Sequence, residues 1–527
     1  MVSTGAKFGI ATAAGLILTA VGLALIPLFN LFIHNTIGKE LIISNTSYIY
    51  DSWKAPSDPV YMQFWFWDLQ NEYEVVNEGA IPMVVEKGPY TYREYREKVG
   101  ITWNDNDTVS FRQVTTYKFE ANMSVGLEND TILTVNIPFV TVVNMVRTLP
   151  GFLQKIVDFL AEVMDEKLFK TLTVKELLWG YEDPIFRLVY NLTGSQFIPS
   201  PYFGLFQGQN NSDDGEYTVF TGEKDTTKLN IIDRWKGETK LPYWSDEYAN
   251  MINGTDATLN PPFSSPYDDH YVFVSAACRS LPGKYDDQPL SVRGISVDRF
   301  GAPSDVFANV TDNPANAGFC TPDVEHCLPS GFLDVSNCQQ GAPVVLSFPH
   351  YLYVDPDYVL PFMNPTKEEH ETYVDAHRLT GVTMRAEKRM QINLHVQPDD
   401  YFTELRKIHE VYYPVVWQNE SYEIDEDDAD KFKSKVVTPV MITSIVQWTV
   451  LGLGIIILVV VLIVVLVRAK KKLKRYETLE CEESEPEAEP EADDRVNSQE
   501  ESDDRPTDTL DQRHDTQALK QEQTQIN

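Results

Sequence analysis

Val440-Met-Ile-Thr-Ser-Ile-Val-Gln-Trp-Thr-Val-Leu-Gly-Leu-Gly-Ile-Ile-Ile-Leu-Val-Val-Val-Leu-Ile-Val-Val-Leu-Val467 carries no charge, and Arg468-Ala-Lys-Lys-Lys-Leu-Lys-Arg475 follows it directly. At ~1.5 Å of rise per residue, such a helix exceeds the ~30 Å hydrocarbon core of a bilayer. A soluble domain has no use for the unbroken apolar run 455–467, so the segment reads as a membrane helix. The six Lys and Arg residues within 468–475 belong on the cytosolic side. Working outward, residues 8–33 form a second apolar stretch almost free of charge. It is too long for the apolar region of a cleavable signal peptide, and Pro27 and Asn30 leave no small-x-small cleavage site. It reads as an uncleaved anchor. Two crossings return the N-terminus, with Lys7, to the cytosol. The expected order is a cytosolic N-terminus (1–7), a transmembrane helix (8–33), a lumenal or extracellular domain (34–439), a second transmembrane helix (440–467) and a cytosolic tail (468–527).

Independent marks fall on the same side. Asn-x-Ser/Thr sequons occur at Asn45, Asn106, Asn122, Asn129, Asn191, Asn210, Asn253, Asn309 and Asn419, all nine between the anchors. One sequon arises readily by chance; nine confined to one side do not. Cys278, Cys320, Cys327 and Cys338 cluster in the same stretch, and Cys481 is alone in the tail. In an oxidising lumen four clustered cysteines read as two disulfides, with three pairings open. Their spacing lacks any Cys-x-x-Cys pair, which argues against zinc, and no metal site or cofactor is expected. The net charge of -34 argues against a nucleic-acid partner. Beyond Tyr476 the Glu/Pro/Asp/Gln composition cannot bury a core and reads as disordered.

Between the anchors the runs Val60-Tyr-Met-Gln-Phe-Trp-Phe-Trp67, Ile132-Leu-Thr-Val-Asn-Ile137, Tyr271-Val-Phe-Val-Ser275 and Met390-Gln-Ile-Asn-Leu-His-Val396 are aromatic and β-branched, and predict strands. Lys87-Gly-Pro89, Asn253-Gly254, Asn260-Pro-Pro262, Pro282-Gly283 and Asn313-Pro314 read as turns. No polar linker interrupts residues 40–435, so one domain is expected. Residues 141–179 read as helical, with one helix over 152–170. At 100° per residue its apolar side spans roughly 180°, wider than the ~100° stripe that a single core requires. Asp158, Glu162, Asp165 and Glu166 take the other side, and Lys167 and Lys170 share the stripe of Phe152 and Phe159. Two readings stand: a helix buried in a small bundle, or a hydrophobic ridge offered to a partner.

Phe64-Trp-Phe-Trp-Asp-Leu69, Glu86-Lys-Gly-Pro-Tyr-Thr-Tyr-Arg-Glu94, Leu177-Leu-Trp-Gly-Tyr-Glu-Asp-Pro184, Pro201-Tyr-Phe-Gly-Leu-Phe206, Met251-Ile-Asn-Gly-Thr-Asp256, Asn316-Ala-Gly-Phe-Cys320 and Gly341-Ala-Pro-Val-Val-Leu-Ser-Phe-Pro-His350 together resemble the class B scavenger receptor family. Phe319-Cys320 through Cys338 and His370-Glu-Thr-Tyr-Val-Asp375 look most like its lysosomal integral membrane protein (type two) branch. The cell-surface lipoprotein and fatty-acid receptor branch is the runner-up. The resemblance implies an α+β ectodomain: an irregular antiparallel β-barrel core, an apical helical bundle, and an internal hydrophobic tunnel for sterol, fatty acid or phospholipid. It implies the pairings Cys278 with Cys338 and Cys320 with Cys327. It places lipoprotein or lysosomal enzyme cargo on the apical helices (about 141–180), where Phe152, Leu153, Ile156, Phe159, Leu160 and Val163 are the candidate contacts. The expected place is a lysosome or late-endosome membrane, or else the plasma membrane.

Two departures qualify the resemblance. In the lysosomal branch an apical histidine contributes to releasing a glucosidase at acid pH, yet no histidine occurs here between His34 and His270. A switch of that kind has no place on this helix. The tail also lacks the branch's acidic dileucine signal. Tyr476-Glu-Thr-Leu479 supplies a substitute, a tyrosine and a bulky apolar residue that a clathrin adaptor could read as an added strand. Catalysis finds no support. His370-Glu371 lacks a second histidine, since residue 374 is Val, and neither a Gly-x-Ser-x-Gly elbow nor a phosphate-binding glycine loop appears outside the apolar segments.

Overall fold

The computed structural model describes residues 4–339 and 341–482, with side chains to residue 476 in the last helix. Contacts divide the chain into two units. The larger, Ala13–Ile455, holds every strand.

Helix α1 (Thr4–Leu41) contains the first apolar stretch. The chain then alternates strands with short helices: β1 (Val60–Leu69), β2 (Val84–Asn104), β3 (Thr108–Phe119), β4 (Thr131–Val135), α2 (Ile137–Val146), α3 (Gly151–Val163), β5 (Phe169–Thr173), α4 (Val174–Trp179) and α5 (Pro184–Thr193). There follow β6 (Glu216–Phe220), β7 (Ile232–Trp235), β8 (His270–Val274), β9 (Arg279–Val292), β10 (Ile295–Gly301), β11 (Val344–Ser347), β12 (Tyr373–Ala376), β13 (Thr383–Val396), β14 (Val411–Glu423) and α6 (Thr438–Glu482).

One antiparallel sheet runs β8-β9-β10-β12-β13-β14-β1-β2-β3-β6-β7 and curls until it nearly closes. Gly254 and Thr255 stitch the gap. Ile232 N–H of β7 donates to Gly254 O (2.9 Å), while Thr255 N–H donates to Tyr271 O (3.2 Å) of β8 and Thr255 O accepts Phe273 N–H (2.9 Å). Gly254 has φ +80°, and a Cβ there would lie 1.8 Å from Tyr271 O, so only glycine fits the seam. The core faces of the strands bury Phe64, Phe66, Tyr90 and Tyr92 in one apolar cluster and Val109, Phe111 and Trp235 in another, which Trp53 joins from the short helix Tyr50–Lys54.

In the larger unit the two long helices approach closely. A Cβ on Gly22 would meet Leu451 Cα at 2.7 Å, and one on Gly454 would meet Thr19 N at 2.5 Å. Small residues at such contacts are how membrane helices pack. The smaller unit joins the start of α1 with the end of α6, and in it the Arg468 guanidinium lies 4.2 Å over the Phe8 ring.

Two turn readings are corrected. Lys87-Gly-Pro89 lies inside β2, opposite a register shift between Phe64 and Phe66, where the Trp65 indole fills the space a Cβ would need. Pro282 and Gly283 lie inside β9, paired with Tyr271 and His270. The single helix over 152–170 is also corrected. Helix α3 ends at Val163, Asp165 takes a positive φ of 55°, and Lys170 lies in β5, paired to Glu166 (3.2 Å) and Asp183 (3.0 Å). A residue in the left-handed region ends the helix, and pairing with β4 then extends the chain.

Candidate functional site

Helix α3 turns its apolar side outward. Phe152, Ile156, Phe159 and Val163 are 66%, 50%, 63% and 67% exposed, Leu153 and Leu160 are half-buried, and Gln154 and Ala161 are buried. Polar groups hold the helix down. Gln154 Nε2 donates to Arg147 O (3.0 Å) and Leu149 O (2.7 Å), and Asp158 accepts Thr403 N–H (2.9 Å) and its hydroxyl (3.0 Å). The stripe at i, i+4, i+7 and i+11 is thus an uncovered ridge.

A cavity of about 560 Å³ opens beside β14. Val75, Ile81, Leu168, Phe169, Leu360, Val396, Ile408 and Tyr413 line it, with Asp357, His409 and Glu410 also on its walls. Its size and mostly apolar wall suit a lipid-sized ligand.

Sequence reasoning missed a third place, where the His350 and His370 rings lie tilted at 4.2 Å between centroids and edge-on to Trp67 and Trp417. Glu86 accepts from Trp417 Nε1 and lies 3.3 Å from His350 Nε2. Although burial works the other way, these contacts hold the Glu86 carboxyl below its ordinary range. Burial, and then the neighbouring His350, push His370 down to about 4, and Thr366 N–H donates to its Nδ1. No local spacing links residues 86, 350, 370 and 417; pairing of β1 with β2 and β14 brings Glu86 to Trp417, and His350 and His370 reach them from the short helical turns Pro349–Tyr351 and Lys367–His370.

The structure joins Cys278 to Cys338 and Cys320 to Cys327. Among the sequons, Asn45, Asn106, Asn122, Asn129, Asn191 and Asn210 are exposed, and Asn253 and Asn309 are half-buried. Asn419 is the departure. It is 6% exposed, and its amide nitrogen donates to Glu387 Oε2 at 2.6 Å, which leaves no room for a glycan. Tyr476 is exposed, whereas Leu479 and the acidic tail lie outside the residues whose side chains are described. Among the described residues, the carboxylate trio close enough to share a cation is Asp58, Asp425 and Asp428, within 4.8 Å. Burial, then the Asp428 and Asp425 charges, push Asp58 up to about 6, against a hydrogen bond from Tyr422.

A nearly closed antiparallel sheet with two disulfides lies between two helices long and apolar enough to cross a bilayer. The model of the CD36 family matches residues 13–465, and the chain belongs to that family. It is 40% identical to human (Homo sapiens) lysosome membrane protein 2 over 446 residues, covering 84% of this chain and 90% of that protein. It is 35% identical to scavenger receptor class B member 1 of Sus scrofa over 445 residues, 84% of this chain and 86% of that one. The chain is a class B scavenger receptor of membranes.

Proposed function

We propose that this receptor works in lysosome or late-endosome membranes, binds protein or lipoprotein cargo on the α3 ridge, and passes lipid through the inside of its sheet. Both termini would be cytosolic and residues 34–439 lumenal, with α2 to α5 as the membrane-distal bundle. The observation that carries lipid binding is the apolar cavity of about 560 Å³ on the sheet's flank. A sterol, fatty acid or phospholipid would enter there and travel inward past Phe169 and Tyr413, which also belong to the larger core cluster. A lysosomal site is supported by the relative whose name carries that organelle. The 35% relative favours the second reading, a plasma-membrane receptor for lipoproteins and fatty acids.

Mass spectrometry of lipid extracted from the purified full-length glycoprotein tests the first reading. Val75→Trp and Val411→Trp, which fill the cavity, should lose bound lipid relative to wild type. An unchanged lipid complement in both would sink it. Imaging of wild type against Tyr476→Ala separates the two locations: the adaptor reading expects lysosomal protein that shifts to the cell surface.

A further inference from the structure

Arg279 opens β9 and is 4% exposed, yet no carboxylate among the described residues pairs with it. Other deep cations are matched. Arg96 bonds Glu94 (2.8 Å) and Glu420 (2.9 Å), Arg299 bonds Asp375 (2.7 Å), and the Asp256 charge acts on Lys98. The groups near enough to act on the Arg279 charge are two phenols, Tyr248 and Tyr271. Hydrogen bonding to Tyr248, and then burial, push Tyr271 up to about 12, so it supplies no negative charge at physiological pH. Arg279 Nη1 donates to Val306 O (3.2 Å), while its buried Nε has no partner. The guanidinium lies over the Phe319 ring, and contact with a ring face offsets only part of what desolvating a full charge costs.

A cavity of about 30 Å³ meets this charge. Val306, Phe307 and Phe319 are on its walls, and Arg279 Cζ lies 3.4 Å from the centre of the Phe319 ring and 5.7 Å from that of Phe307. The charged end of the side chain, rather than its stem, therefore borders the space. The loop that the Cys320–Cys327 disulfide closes forms another side, where Thr321 adds a polar edge. Asp334 is the acid on the wall. Its Oδ1 accepts Ser336 N–H (2.8 Å), and its charge acts on Tyr412 rather than on Arg279. A space of this size takes a water or one small ion, and is too small for a phosphate, a lipid head or a side chain.

We infer that Arg279 holds a small monovalent anion, of the size of chloride, in this cavity. The site depends on neither lipid nor cargo. Burial pushes the guanidinium down to about 9, which leaves it charged at neutral pH and below. A water in the cavity would satisfy a donor but leave that charge unbalanced in a low-dielectric interior; a halide balances it and accepts from the guanidinium. The aromatic walls suit a halide, which is large and weakly hydrated for its charge. Arg279 belongs to the sheet and Thr321 to the disulfide-closed loop, so the bound ion would pin that loop to β9.

Thermal melting of the full-length glycoprotein in detergent tests the site, with sodium chloride, bromide or sulfate compared at one ionic strength. General salt effects favour sulfate, which is excluded from protein surfaces and stabilises folded states. A site for a small anion reverses that order. Wild type should melt about 2 °C or more higher in chloride and in bromide than in sulfate, because an ion bound only by the folded state raises its midpoint. Arg279→Met should restore the general order, with sulfate highest. Wild type that melts highest in sulfate overturns the proposal, and so does an Arg279→Met variant that keeps the preference for chloride. If Arg279→Met fails to mature, crystals of the wild-type glycoprotein soaked in bromide decide. Anomalous scattering should peak against the Arg279 guanidinium; water alone at that position overturns the assignment.

Discussion

Helices α2 and α3 are neighbours in sequence and equally apolar to the eye, but their side chains meet opposite fates. In α2 every residue from Ile137 to Val143 is buried. In α3 Phe152, Ile156, Phe159 and Val163 face solvent while Gln154, Asp158 and Ala161 face the protein. Apolar content therefore tells which segments are expensive to leave in water, and only the hydrogen bonds beneath a helix tell which way it faces. A core claims the first helix. The second leaves an apolar residue uncovered on each turn, which a folding argument alone does not explain.

The largest expected effect lies in α2. Phe139 is 1% exposed and meets Phe402, itself fully buried, edge to face at 6.3 Å. Phe139→Ala should cost about 3–5 kcal/mol and leave the protein in the endoplasmic reticulum. Thermal melting and glycan maturation check it, and a variant that matures with a normal melt would dissolve the contrast with α3. Next comes the joint between the helices. Asn136 caps α2 by accepting Phe139 N–H, and its amide donates to Glu166 Oε2 (2.7 Å) and Lys167 O (3.0 Å). Asn136→Ala loses the cap and leaves a buried carboxylate short of a donor. A loss of about 2–3 kcal/mol follows, readable in denaturant unfolding.

Acid should tighten this joint. Burial, and then the Asp183 charge, raise the Glu166 carboxyl, and burial raises Glu404, which accepts Leu168 N–H. A carboxyl raised in the folded state binds its proton more tightly there than in the unfolded chain. Its contribution therefore grows as pH falls through the folded value and is complete below the unfolded value of about 4.3. Hydrogen exchange, corrected for intrinsic rate, should show residues 136–170 better protected at pH 5 than at pH 7. Greater protection at pH 7 would mean that Lys170 dominates instead. His370 has the reverse sign: its folded value near 4 lies below the unfolded ~6.5, so its contribution is lost as pH falls across that window.

How much of this was legible depended on whether the signal was local. The runs at Val60 and Met390 are strands because β-branched and aromatic residues suit a pleated surface whatever surrounds them. The helix end at Val163 was missed because the competing force, pairing of Lys170 with Thr134 in β4, comes from far along the chain. Lys87-Gly-Pro89 misled for a related reason: glycine marks a turn in isolation, but here it makes room for Trp65. The His350–His370–Glu86 group is invisible to spacing. Glu86 meets Trp417 only after β1 pairs with β2 and β14, and the two histidines join them from short helical turns outside those strands.

The smallest expected effect on the fold is the sharpest test of the comparison. Phe159 is 63% exposed, and its helix is held to the protein by Asp158 and Gln154 rather than by the ring. Phe159→Glu and Phe152→Glu should therefore change stability by no more than about 0.5 kcal/mol, the usual range for a surface site. If the ridge is a docking surface, each should still weaken cargo binding by about 1–2 kcal/mol, because an aromatic anchor contributes most where it is desolvated by a partner. Leu153→Glu divides the explanations. Leu153 is half-buried, so it should lower the melting temperature while the two phenylalanine variants leave it alone. Melting curves and a pull-down of lipoprotein or lysosomal enzyme cargo, run on all three variants, give the answer. Phenylalanine variants that melt normally and bind normally would leave the ridge without a partner. Variants that melt early would show that the ring is covered in solution and that α3 behaves like α2 after all.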